Sequence, residues 1–224
     1  KYKGGRVIND FVSLNDLAPT FLEVAKVQIP EEMNARSILN ILESEKEGFV
    51  DKTRDFIVTG RERHDYVRKN GVGYGARAYR TKDFLYIRNY DHERWPAGDP
   101  PIYGDVDAGS LQYPCPTKMY MLKHKKEEGV KDLFELAFGK RPPEELYDLR
   151  NDPYQMNNIA YSDKYEKEKN ILSNKLTDYL KSNGDPRETG EEMKWLDAPY
   201  FGRKFSKPSE EARRELNLEE IYIW

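Results

Sequence analysis

Cysteine is almost missing from this 224-residue chain: Cys115 stands alone, which excludes an intrachain disulfide and a cysteine metal cluster. Histidine is nearly as scarce. Its three residues show neither an H-E-x-x-H motif nor a paired spacing, and a zinc centre is not expected. No apolar run approaches the roughly 20 residues that a membrane-spanning helix needs. An excess of one charge is absent too: 37 Lys and Arg stand against 40 Asp and Glu, a formal net charge of -3. No basic block is interleaved with aromatics, so neither nucleic acid nor a membrane is expected as a partner. The chain opens Lys1-Tyr2-Lys3, without an initiator methionine or a signal peptide, and reads as a piece of something longer. What is present is charge of both signs, 34% of residues, with a mean hydropathy of -0.92. The length allows one large or two small domains with ample core.

Residues 54–98 organise the rest. Phe56, Ile57 and Val58 form an apolar run of the kind a buried strand shows, broken at Gly60, and a polar knot follows at Arg61-Glu62-Arg63-His64-Asp65. Residues 76–79 and 84–90 read as a hairpin, with alternating Phe84, Tyr86 and Tyr90 and a turn at Thr81-Lys82-Asp83. Charged knots at strand ends are where active sites of α/β proteins collect, because loops leave there.

Elsewhere, Asn15-Asp16 is expected to cap a helix carrying Leu17, Phe21, Leu22, Val24 and Ala25 at helical spacing. A short helical piece over 38–43 and a charged loop over 43–48 follow. Residues 96–116, rich in proline and glycine, are expected to be a long surface loop. Residues 117–126 and 130–138 read as helices and 145–149 as a short strand. Residues 161–182 form the best amphipathic helix, stopped by Asn183-Gly184-Asp185-Pro186, and a last helix is expected near 209–216.

Several of these segments carry a family likeness. Val12-Ser13-Leu14-Asn15-Asp16-Leu17-Ala18-Pro19-Thr20, Gly60 to His64, Arg80-Thr81-Lys82-Asp83-Phe84-Leu85-Tyr86-Ile87-Arg88-Asn89, Arg94-Trp95-Pro96-Ala97-Gly98 and Glu145-Leu146-Tyr147-Asp148-Leu149 with Asp152-Pro153 fall in family order and spacing. Together they resemble the C-terminal half of the type I sulfatases, above all the heparan N-sulfatase-like branch. The resemblance implies an α/β plus α+β fold. Residues 1–60 would close an alkaline-phosphatase-like α/β domain. Residues 61–224 would form a smaller subdomain, an antiparallel sheet packed by the helix near 161–182. It also implies hydrolysis of sulfate esters or sulfamates on a sulfated glycan, heparan-type first, and a periplasmic or secreted location. Two departures show: the family usually has glycine where Lys26 and Ala35 stand.

Such sulfatases use a formylglycine made from a C-x-P-x-R motif and a calcium ion held by carboxylates. Cys115-Pro116-Thr117-Lys118-Met119 lacks the proline and arginine of that motif. Catalytic and metal residues are therefore expected upstream, in a missing N-terminal sulfatase domain, and this chain alone is expected to be inactive. The substrate-side candidates are Arg63 and His64, which can meet sulfate, carboxylate or sugar oxygens, and Arg94 with Trp95, which can face a sugar ring. The alternative for the first pair is a solvated charge network with His64 packed in it, and for Trp95 a loop anchor. Arg77, Arg80 and Arg88 read as sheet-surface and ion-pair residues. Two other functional readings stay open: a non-catalytic glycan-binding or interaction module, and a phosphodiesterase-like relative.

Overall fold

The computed structural model describes residues 4–106, 115–196, 198–199 and 210–215. At its centre is a four-stranded antiparallel sheet in the order β1-β2-β3-β4, formed by β1 (Phe56–Arg61), β2 (Ala76–Thr81), β3 (Phe84–Asn89) and β4 (Glu144–Asp148). The hairpin is the expected one, with the chain reversing at Lys82-Asp83. β1 departs from expectation: it is an edge strand of this sheet, half-buried along its apolar run, and it continues through Gly60 to Arg61. A short apolar run has the same appearance whether one or both faces are covered, which is why the sequence pattern overstated its burial. The expected division at residue 60 falls inside β1.

Register places Val58, Tyr79, Tyr86 and Leu146 in one row across the sheet. Against that face lies α5 (Glu166–Ser182), preceded by a 3-10 turn that shortens the expected helix at its start. Leu172, Leu176 and Leu180, one face of α5 at helical spacing, join Tyr79, Tyr86, Leu146 and Ala160 in the main core. Phe56 stacks on Tyr79 at 4.7 Å between centroids.

The same sheet face turns polar at one end, because Gly60, Arg77, Arg88 and Glu144 form the row two residues along. There the chain leaves α5 and forms α6 (Pro186–Thr189), with Asp185 accepting from the Arg187 amide at its N-cap. Arg77, buried, and Arg88, half-buried, are thus ion-pair residues beneath α6, while Arg80 lies exposed on the opposite face. Gly60 leaves room for this: a Cβ there would sit 2.9 Å from Arg77 Cδ.

A second, smaller core joins α3 (Pro116–His124) and α4 (Lys131–Phe138) to residues 95–106 through Ala97, Tyr103, Leu122, Phe134 and Phe138. The described part of the expected surface loop is therefore packed: Ala97, Ile102 and Tyr103 are buried, and Pro100-Pro101 is a cis bond. Tyr103 supplies the missing apolar content, meeting Trp95, Phe134 and Phe138 at 5.2–5.6 Å between centroids. Residues 107–114 lie outside the described residues, as do Ser209 and residue 216 flanking α7 (Glu210–Glu215).

The N-terminal part carries α1 (Leu17–Val24) and α2 (Leu39–Glu43). The cap lies earlier than expected. Ser13 and Asp16 form a reciprocal capping box around a 3-10 turn, Leu14–Asp16, that leads into α1. Asp16 also pairs with the buried Arg54 at 2.8 Å, and Arg54 donates to the carbonyls of Arg36 and Ser37, tying this part to the start of β1. The apolar face of α1 is left outward: Leu17, Phe21 and Val24 are exposed.

α1 ends in a Schellman arrangement, with the Val27 amide on the Leu22 carbonyl at 2.9 Å and the Lys26 amide on that of Glu23 at 3.0 Å. Lys26 stands at the left-handed position with φ of 58°. This accounts for the family's glycine there; Ala35 carries no positive φ. Lys26→Gly should raise stability by about 1 kcal/mol, read as a higher urea midpoint at unchanged slope. A lower midpoint would show that the side chain holds something the backbone geometry does not reveal.

Candidate functional site

The polar knot after β1 folds around a carboxylate that is remote in sequence. Asp105, whose side chain is 1% exposed, receives three cationic or cation-forming groups. Arg61, the last residue of β1, reaches it with one guanidinium nitrogen. His64 Nδ1 lies 2.6 Å from Asp105 Oδ1, and Arg68 Nη2 donates to Oδ2 at 3.0 Å. Their exposure differs sharply. The Arg68 side chain is 1% exposed, that of Arg61 42% and that of His64 66%. Asp105 and Arg68 therefore form the floor, and Arg61 and His64 stand on it facing solvent.

Arg68 is built in from all sides. Nε donates to the Trp95 carbonyl at 2.9 Å and Nη2 to that of Pro96 at 2.7 Å, so the guanidinium stitches residues 95–96 under the knot. Burial pushes the Arg68 pKa down, and the Asp105 carboxylate opposes that shift. Its Nη1 is buried without a hydrogen-bond partner.

Asp105 is held from the other side by Lys118 of α3, a buried lysine. Its Nζ donates to the carbonyls of Tyr103 at 2.9 Å and Val106 at 2.6 Å. Burying an ammonium is costly unless backbone oxygens replace water, and these two carbonyls do so on both sides of Asp105. The Asp105 amide bonds the Ala97 carbonyl at 2.9 Å.

Glu62 faces the opposite way, as alternation along an extended chain requires. It accepts two hydrogen bonds from Arg187 of α6, each 2.7 Å, and pairs with Arg77 at 2.8 Å. Arg187 also reaches Asp91 at 2.9 Å, and Arg77 reaches Asp185 at 2.6 Å. Arg88 and Tyr90 both bond Glu188. The Glu62 hydrogen bonds hold the Arg187 guanidinium above its usual range. Gly75 makes space for it, since a Cβ there would lie 2.3 Å from the guanidinium carbon. The knot is thus pinned from below by a buried ion network.

Of the residues predicted from sequence, His64 stands at the centre of this arrangement. Arg63 is half-buried and donates to the Ala198 carbonyl at 2.8 Å. Arg94 bonds the Gly73 carbonyl at 2.9 Å and Asp91 at 3.0 Å. Trp95 packs edge-on against Tyr103, with Lys140 Nζ 5.7 Å from its ring. Among the described residues, Trp95 meets the site through its carbonyl, which accepts from Arg68. Arg61, Arg68 and Asp105 were missed. Arg61 and Arg68 had a signal in their closeness to His64, whereas Asp105 had none, lying 41 residues from His64.

His92 and His124 stand apart from this group, the second stacked on Tyr120 and bonded to Glu127. Cys115 is the N-cap of α3. Among the described residues no three His, Cys, Asp or Glu side chains converge as a metal would need, and no helix is long and apolar enough to cross a membrane. The described residues do not fit a calcium site, and Cys115 lacks the C-x-P-x-R surroundings of a formylglycine precursor.

Residues 1–99 match a family described as N-sulphoglucosamine sulphohydrolase, C-terminal. Two proteins of Formosa agariphila, each named ulvan-active sulfatase, are 27% identical over 82% and 78% of this chain. The chain spans only 31% and 26% of their lengths. Among solved structures, one in complex with its substrate D-glucosamine-2-N,6-O-disulfate is 21% identical, with a TM-score of 0.48 over 79% of this chain and 25% of that one. Another, a 2-O glycosaminoglycan sulfatase, is 20% identical, with a TM-score of 0.46 over 78% and 26%.

Proposed function

We infer that this chain, the C-terminal part of a sulfatase, supplies the substrate-facing wall of an enzyme that hydrolyses sulfate esters or sulfamates on a sulfated glycan. The observation that carries the reading is the gathering of Arg61, Arg68 and His64 at one buried carboxylate, with His64 the most exposed of them. Arg61, 42% exposed, is the guanidinium of this group that a sulfate oxygen can reach, and His64 stands beside it for the sugar. In this reading Arg63, Arg94 and Trp95 would add further substrate contacts, Arg94 having 40% of its side chain exposed.

The nucleophile, a formylglycine, and a calcium ion belong in this reading to residues outside this chain, since none of the described residues suits either. The bound ion would hold sulfuryl oxygens; the residues here orient the sugar. The outward apolar residues of α1 suit a face packed against such an upstream domain. A periplasmic or secreted location follows from a polysaccharide substrate. The family description favours a sulfated glucosamine of heparan type. The two relatives named for ulvan favour a second reading, an algal sulfated polysaccharide.

The test is His64→Ala in the full-length sulfatase, assayed on sulfated glucosamine and on ulvan oligosaccharides. Loss of one hydrogen bond to the substrate, about 0.5 to 1.5 kcal/mol, should lower kcat/KM roughly two- to tenfold with little change in Tm. The isolated chain, run in parallel, should show no turnover at any calcium concentration. A variant with normal kinetics and a lowered Tm would make His64 a structural residue. Turnover by the chain alone would place a nucleophile within it.

A further inference from the structure

We propose that Asp105 is a positioning residue that fixes His64 in the Nδ1–H tautomer, so that the neutral imidazole presents its Nε2 lone pair to solvent as a hydrogen-bond acceptor. The inference deepens the reading of the site given above. It assigns His64 to a donor on the substrate, a sugar hydroxyl or a sulfamate N–H, and leaves the sulfate oxygens to the arginines.

A carboxylate that holds no proton can only accept, so the hydrogen in the 2.6 Å contact belongs to His64 Nδ1. Arg61 and Arg68 both donate to Asp105 Oδ2, which leaves Oδ1 to accept from the imidazole. Which ring nitrogen carries the proton is set by the hydrogen bond that the other one makes, and here that bond is built in. The carboxylate cannot swing away. Lys118 clips the carbonyls of Tyr103 and Val106, on either side of it, and the Asp105 amide is bonded to Ala97. The side chain of His64 is 66% exposed against 1% for Asp105, so the ring extends outward from a buried anchor. A lone pair fixed in place discriminates between ligand groups in a way a mobile surface imidazole does not, because it rejects another acceptor presented at that point.

The experiment is a long-range 15N–1H correlation spectrum of the chain, recorded at a pH where the imidazoles are neutral. With only three histidines the ring signals separate readily, and His64→Gln assigns them. The expected result is His64 in the Nδ1–H form. In Asp105→Asn, whose side chain can either donate or accept, the preference should fall toward the Nε2–H form usual for a free imidazole. His64 in the Nε2–H form in the unmodified chain overturns the proposal. So does an unchanged Nδ1–H signal in a folded Asp105→Asn variant. If that variant does not fold, the tautomer of the unmodified chain decides alone. These spectra need no turnover, so the outcome is separable from the kinetic test: a fixed Nδ1–H tautomer beside normal kinetics in the His64→Ala enzyme would sink the substrate reading and leave the positioning intact.

Discussion

Arg187→Met should cost about 3 kcal/mol of folding stability, a large share of what a domain of this size commands. The side chain is 9% exposed and offers two hydrogen bonds to Glu62 and one to Asp91. Methionine fills much of the volume but leaves both carboxylates facing each other in a half-dry space, with Arg77 as the remaining cation close to Glu62. The penalty comes from the stranded carboxylates more than from the lost attraction. Equilibrium urea unfolding of the variant and its parent measures it. A loss below about 1 kcal/mol, the range of an exposed ion pair, would mean that water reaches the network freely. A double variant, Glu62→Gln with Arg187→Met, should recover part of the loss, because it removes one of the charges left behind.

Asp105→Ala should be at least as severe, at about 3 to 5 kcal/mol, because Arg68 is buried and would lose the carboxylate that balances it. Two backbone carbonyls would remain to it, from Trp95 and Pro96. Asp105→Asn keeps an acceptor and should cost clearly less. The substitutions His64→Ala and Arg61→Met remove the exposed partners and should each change stability by under about 1 kcal/mol. Thermal and urea denaturation across the four variants tests that ordering. Equal losses from all four would show that the group stands or falls as one unit, with no division between a buried floor and an exposed wall.

Local pattern made the middle of the sheet legible. The alternation of Phe84 and Tyr86, with a polar pair between the two halves, allows only a hairpin, and Leu172, Leu176 and Leu180 allow only a helix with one apolar face. Where an element sits was less legible. Phe56, Ile57 and Val58 look alike in an edge strand and a central one. Arg77 and Arg88 read as surface residues until Asp185 and Glu188 arrive beside them from the end of α5. The candidate site divided in the same way. His64 and its neighbouring arginines announced themselves by local charge density. Asp105 lies in an irregular stretch among prolines, and its role depends on a lysine 13 positions further on, for which no periodicity exists. Trp95 and Arg94 looked like ligand residues because aromatic and guanidinium groups serve packing and binding with the same chemistry.

The contact between Glu62 and Arg187 joins residues 125 positions apart. A ribosome delivers residue 62 long before residue 187, so the strands can pair and the hairpin can close while the underside of the knot still faces water. The geometry around His64 is then complete only when the last turn after α5 has emerged and docked. Closing so long a loop is slow compared with forming the hairpin, and the half-finished state exposes Arg77, Glu62 and the end of the sheet together. The polar knot is thus synthesised well before the helix that pins it from below.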